Sequence, residues 1–269
     1  MQIDRTAHDS THLLAGIADS QRLARTSFRR RFAVTWAVII AAILLALWYT
    51  GNIDLAWMAE WGPYILGGTQ FTLIVCLSSI ALATVLAGLG AVSRLSANPI
   101  VFGIASLYVS LFRGTPLLVQ IFFIYFALPQ LGVTIPSIPA GILALSLNYG
   151  AYMTEIFRAG IQAVPRGQRE AAQALGMPER NVMRRIVMPQ AFRIVIPAVG
   201  NEFIAMIKDS ALVSTIAVQE LLWRARTVGT QDFKTLQAFL IAALVYWGLT
   251  IIFSYFQDKL EKRMARGDR

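Results

Sequence analysis

Long apolar runs alternate with short polar, mostly basic ones along this chain, and most of the apolar runs are as long as a bilayer is thick. Phe32–Tyr49 holds no charge, and Tyr64–Val92 is rich in Leu, Ala, Ser, Thr and Gly. Ile138–Phe157, the shorter Ile194–Ile207 and Leu236–Phe256 follow. A hydrocarbon core about 30 Å thick needs about 20 mostly apolar helical residues, so these runs predict spanning helices. One further region is interrupted. Ile100–Phe112 is apolar, Arg113-Gly114-Thr115-Pro116 breaks it, and Leu117–Leu128 resumes. The resumed stretch would rise only about 18 Å, too little to span alone. Either one helix is kinked at Pro116, or Ile100–Phe112 lies partly at the interface. The pattern predicts an all-α integral membrane protein of about six transmembrane helices. The small residues of Tyr64–Val92 predict close helix packing.

The first run is preceded by Arg22, Arg25, Arg29, Arg30 and Arg31. A basic flank before an apolar segment also marks secretory signals. This run is too long for a signal core, and Trp48-Tyr49 closes it where small residues would mark cleavage, so it reads as an uncleaved span. Residues 1–31 read as a basic tail, with Ser10–Ala24 a surface helix or disordered. His8 and His12 lie four apart in this tail with no third ligand nearby, which predicts solvated side chains and no metal site. Cys76, the lone cysteine, lies in an apolar run and excludes a disulfide within the chain.

Composition narrows the class. Of 269 residues, 56% are hydrophobic and 14% charged, against about a quarter charged in an average soluble domain. That excludes a disordered chain and most soluble enzymes. The net charge is still +9. With six spans and an internal amino terminus, 20 of the 24 Lys and Arg fall on one side. The other side keeps Lys208, Arg224, Arg226 and Lys234, among Asp209, Glu220 and Asp232. Cytoplasmic loops carry the excess of Lys and Arg, so both termini are predicted cytoplasmic, residues 257–269 forming a second tail. The basic residues flank spans instead of lining one soluble surface, which argues against nucleic acid as a partner.

The basic stretch from 158 to 193 is unusually structured. Gln168–Leu175 is a run of good helix formers, with Glu170 in its expected first turn, where the helix dipole favours an acid. Gly176 suits the left-handed position after the last turn, and Pro178 can begin the next helix. This predicts a two-turn helix between sharp bends, exposing Ala171, Ala172 and Ala174. Glu170-Ala171-Ala172 is followed after three residues by Gly176, and after nine more by Ile186-Val187-Met188-Pro189. The spacing resembles the EAA signature of permease subunits of binding-protein-dependent ABC importers. Met188 stands where Leu is usual, and it keeps volume and apolarity. Phe112-Arg113-Gly114-Thr115-Pro116-Leu117-Leu118-Val119-Gln120, Gly167-Gln168, the stretch from Pro197 to Glu202, and Lys208-Asp209-Ser210 extend the resemblance. They are similar to the polar amino acid subfamily, that of histidine, glutamine, arginine and opine importers.

The resemblance implies a permease core over 64–256, of the type I importer fold; the family often has five spans and an external amino terminus, and the span at 32–50 departs from that by adding one crossing. It implies import of a small solute with ATP and Mg used by a separate cytoplasmic ATPase dimer. This chain has no Gly-x4-Gly-Lys-Ser/Thr loop for phosphates, and no cofactor is expected on it. A second permease subunit (a copy or a paralogue), a periplasmic or extracellular solute-binding protein and membrane lipid are the other expected partners. Gly167, Gln168, Glu170, Ala171, Ala172, Leu175 and Gly176 are expected to dock on the ATPase.

Polar groups deep in spans mark pathway candidates. Glu202 would lie about 12 Å into its span and Asn148 about 15 Å into its own, both near mid-membrane. Asn201 adjoins Glu202. Tyr152 is one turn from Asn148 on the same face. Thr115 offers a hydroxyl and freed backbone groups at the break. Lys208 and Asp209 read as an outer gate or as a helix end with local pairing. Each has a structural counterpart: Asn148 as an interhelical tie, Glu202 paired with a neighbouring cation. Glu155 is expected near the inner interface as a solvated acid close to Arg158. An ion-coupled secondary transporter is the alternative function; it would need a larger bundle or clear inverted repeats, which the sequence does not show. A membrane enzyme would need a histidine–carboxylate or metal cluster, and both histidines sit in the tail.

Overall fold

The computed structural model describes residues 26–28, 30–43, 45–46, 49 and 53–265. The expectations for Ser10–Ala24, His8 and His12 lie outside the described residues. Regular structure among the described residues is helical, without strands. The chain divides into two units, Met1–Asp54 and Leu55–Arg269. In the first, α1 covers 30–43, overlapping the run expected as the first span.

The second unit comprises α2 (Leu55–Leu66), α3 (Thr69–Arg94), α4 (Pro99–Gly114), α5 (Leu117–Phe122), α6 (Ser137–Gln162), α7 (Arg166–Ala174), α8 (Glu179–Val182), α9 (Met188–Asp209), α10 (Leu221–Gln231) and α11 (Thr235–Ala265). Among the described residues, Leu55–Arg94, Glu179–Ile216 and Thr235–Met264 are helical runs long and apolar enough to cross a membrane. Pro99–Gly114 and Leu117–Leu131, bent by 108°, make a fourth if taken together. Helix α6 does not pass that test on composition, although its 26 residues would reach about 39 Å. The reason is its position. It buries 13 residues against its neighbours, so Ser146, Asn148, Tyr149 and Thr154 meet protein and need not be apolar.

Three boundaries differ from the sequence reading. The second run starts at Leu55, with a turn at Gly67-Gly68. The short run at Ile194–Ile207 is the middle of α9, because polar Gln190, Arg193 and Lys208 lengthen the helix beyond its apolar segment. Helix α11 continues to Ala265, so most of the expected tail is helical.

The interruption at Arg113–Pro116 is a true bend. Proline pushes the preceding residue out of the helical region, and Thr115 sits at φ −119°, ψ 147°. Helices α3 and α6 run side by side in the same direction. Ser146 Oγ donates to Ser79 O and Ser79 Oγ to Ile142 O, each at 3.3 Å. Further along, a Cβ at Gly90 would lie 2.2 Å from Thr154 Oγ1, so only glycine permits this approach. Their shared core includes Val75, Ala83, Ala87, Leu145, Tyr149 and Met153. Helix α9 returns between them, where Cys76 Sγ meets Met206 O at 3.7 Å. Helices α2, α10 and the start of α11 form a separate small core around Trp57, Ile65, Leu221 and Ala238.

Candidate functional site

The loop after α6 folds on itself through a compact apolar cluster. Ile161, Val164, Ala172, Val182, Val187 and Ala191 are buried together, with Met177 and Ile186 against them. Pro165, at φ −55° and ψ 133°, turns the chain out of α6 and starts α7 at Arg166, two residues before the expected start. Glu170 therefore falls beyond the first turn, where the dipole effect invoked for it has faded. The end of α7 is as expected. Gly176 has φ +75°. Its N–H donates to Gln173 O at 2.9 Å, and Met177 N–H donates to Ala172 O at 3.1 Å. This paired closure satisfies carbonyls that the helix end would orphan, and it seats Met177 in the cluster. Gln173 Nε2 also donates to Glu179 Oε2 at 2.9 Å across the turn.

One assignment changes. Ala172 is 4% exposed and faces the cluster, so it cannot belong to an outward small-residue face. The helix period turns it inward, opposite Ala171 and Ala174. The exposed surface includes Gly167, Gln168, Glu170, Ala171, Ala174, Leu175 and Gly176, with Arg166 and Gln173. Leu175, 84% exposed, is a large apolar side chain on a surface otherwise made of small and polar residues. Sequence reading did not single out its exposure.

The polar groups in the bundle divide into two sets. The first closes the bend between α4 and α5. Gln120 Nε2 donates to Phe112 O at 2.9 Å, Thr115 O at 3.0 Å and Thr115 Oγ1 at 2.8 Å. Asn148 Nδ2 donates to Phe112 O and to Gln120 Oε1, both at 3.1 Å. Carbonyls freed by Pro116 are thus satisfied by side-chain amides, as a non-helical break at membrane depth requires. Asn148 acts as the interhelical tie, and it is buried. Gln120 lies in the motif, where spacing alone assigns it no role. The signal was present: an amide four residues beyond a proline break, inside an apolar run. A cavity of about 400 Å³, lined mainly by Leu111, Phe112, Phe123, Leu143 and Leu147, adjoins this knot. Tyr152, one turn on, is 40% exposed and carries the Arg113 guanidinium 5.1 Å from its ring centre.

The second set lies on α9. Glu202 and Asp209 are seven residues apart, on one face about two turns apart. Tyr149 OH of α6 donates to Asp209 Oδ2 at 2.8 Å. Glu202 is half-buried and within electrostatic reach of Asp209 and Tyr149. Among the described residues its carboxylate makes no ion pair, with Lys208 or otherwise. Asn201 and Lys208 are exposed. Glu155, expected to be solvated, instead receives both Arg94 and Arg158. Among the described residues no cluster of His, Cys, Asp and Glu has the make-up of a metal site.

Residues 83–266 match the family described as binding-protein-dependent transport system inner membrane component. The L-cystine transport system permease protein TcyB of Bacillus subtilis is 39% identical over 79% of this chain and 91% of its own length. The arginine transport system permease protein ArtQ of the same organism is 37% identical over 81% of this chain and 100% of its own. A crystal structure of an amino acid ABC transporter with histidines aligns with TM-score 0.76 and 37% identity, covering 78% of this chain and 99% of that one. The MetNI methionine ABC transporter, at 18% identity and TM-score 0.63, shares the fold. The chain belongs to the binding-protein-dependent transport family and has the membrane-spanning, type I importer permease fold.

Proposed function

We propose that this permease subunit imports a polar amino acid, in a complex with a cytoplasmic ATPase dimer, a second permease subunit and an external solute-binding protein. The observation that carries this reading is the folded Glu-Ala-Ala helix, which presents Ala171, Ala174 and Leu175 on a stiff, buried base. Alanines permit close approach, and an exposed leucine supplies an apolar anchor for a groove. The ATPase partner binds ATP and Mg. The basic residues of 158–193 support a cytoplasmic position for this helix and for both termini. Relatives named for cystine and arginine transport support an amino acid as cargo. Reconstitution with the ATPase and binding protein in proteoliposomes tests the reading: ATP-dependent uptake from an amino acid panel is expected. Uptake driven by an ion gradient without ATP would overturn it.

Within the subunit, Glu202 and Asp209 offer acids to the ammonium group of the solute, and Tyr149 holds Asp209 in place. Alternating access then needs only two arrangements of the helices around this strip, each favoured by different ligands. Removing one charged partner of a hydrogen bond costs about 1.5 kcal/mol, roughly tenfold in affinity. Glu202→Gln is expected to lower uptake of a cationic amino acid by about that factor, and of a neutral one less. Competition with radiolabelled substrates checks this; unchanged uptake and unchanged preference would remove Glu202 from the pathway.

A further inference from the structure

Two salt bridges end on one carboxylate, that of Glu155. Its Oε1 accepts from Arg94 Nε at 3.2 Å. Its Oε2 accepts from Arg158 Nε at 3.0 Å and from the second guanidinium nitrogen at 2.6 Å. Each arginine reaches further. Arg94, at the end of α3, also donates to Ser106 Oγ and lies 4.8 Å from the Phe102 ring centre, both on α4. Arg158 donates to Gln162 Oε1 at 2.7 Å, at the end of α6. Beside it, Arg169 of α7 donates to Ile161 O at 3.3 Å. Glu155 is therefore the junction of α3, α4 and α6, next to the contact that fastens α7.

The four helices are not held equally. Helix α6 is packed to α3 through a continuous apolar core. Helix α4 buries only Ala105 and Val109, while Ile100, Ile104, Leu107 and Leu111 are exposed. Its polar links are few: the Arg94 junction, Tyr108 OH to Leu147 O at 2.7 Å, and the amide knot at its far end. An element with little burial opens or shifts at low free-energy cost. Directional contacts then decide where it sits.

We propose that Glu155 is a positioning residue that delivers movement of the α7 loop to α4, and through α4 to the bend at Thr115-Pro116. This rests on the reading of α7 as the ATPase-docking helix.

The test uses the assembled transporter in proteoliposomes with its ATPase and binding protein. Glu155→Gln is expected to keep the ATPase subunit bound and hydrolysis within about twofold, while solute carried per ATP falls about fivefold or more, the range of ordinary coupling energies. Glu155→Asp restores most of the ratio. Arg94→Gln lowers it similarly, and the double variant is no worse than the more damaging single one, because both break one link. A merely structural role would lower uptake and hydrolysis together. An unchanged ratio in Glu155→Gln, or additive losses in the double variant, overturns the proposal. If Glu155→Gln does not assemble, Arg94→Gln decides alone, since it leaves the Arg158 pair intact. The docking reading fails separately, if a disrupted α7 loop still retains the ATPase.

Discussion

Replacing Gly176 with valine is expected to abolish ATP-driven uptake and to release the ATPase subunit while leaving the helical bundle folded. The backbone at Gly176 has φ +75°, which a β-branched residue adopts only as an outlier. Holding a non-glycine residue there costs about 1–3 kcal/mol, comparable to the whole stability of a small loop. Relief of that strain breaks the two hydrogen bonds that close α7, from Gly176 N–H to Gln173 O and from Met177 N–H to Ala172 O. Met177 then leaves the cluster formed by Ile161, Val164, Ala172 and Val182. The α3–α6 core does not touch this cluster's interior, so membrane expression is expected to be normal. The order of damage should be Val, then Asp, then Asn, because short polar side chains tolerate the left-handed region. Co-purification of the ATPase and uptake in vesicles measure the effect. A valine variant with normal uptake and normal ATPase capture would refute the assigned role of the loop.

Removing the carboxylate of Glu220 is expected to produce the largest loss of stability. Glu220 is fully buried at the start of α10. It accepts from Trp223 N–H at 2.7 Å, from Tyr246 OH of α11 at 2.5 Å and from Thr72 Oγ1 of α3 at 3.4 Å. One side chain thus fastens the small core of α2 and α10 to two long helices. Glu220→Ala leaves these donors unpaired in a dry site and loses about 3 kcal/mol or more, roughly 5–10 °C in melting temperature. Burial pushes the Glu220 carboxyl above its ordinary value, against the hydrogen bonds from Tyr246, Leu222 and Trp223. An acid with a raised folded value contributes stability that is complete below the ordinary carboxylate range and is lost as pH rises through the folded value. The purified protein should therefore lose thermal stability on alkalisation from about pH 4, and Glu220→Gln should flatten that dependence. Parallel slopes in the two proteins would show that Glu220 does not set it.

How much of this was legible in the chain depends on range. The loop at 158–193 was readable because its determinants are local: Pro165 and Gly176 each impose one backbone conformation, whatever packs around them. The bend at Thr115-Pro116 was readable for the same reason, though only as one of two arrangements. Ala172 was misplaced because it lies about 100° around the helix from Ala171 and about 200° from Ala174, so the three cannot share one exposed face. Asn148 and Glu155 were seen as polar residues in apolar surroundings, but their partners, Gln120 and Phe112 in one case and Arg94 in the other, lie 28 to 61 residues away. Glu220 was noted only as one charge among several outer ones. The sequence by itself determined where the long apolar runs lie, how charge is distributed between them and the spacing of the loop at 158–193, because hydropathy, charge bias and turn chemistry act on neighbouring residues. Only the tertiary structure decided which polar groups are spent holding helices together and which, like Glu202, make no ion pair among the described residues, because burial and hydrogen bonding depend on residues brought together by folding.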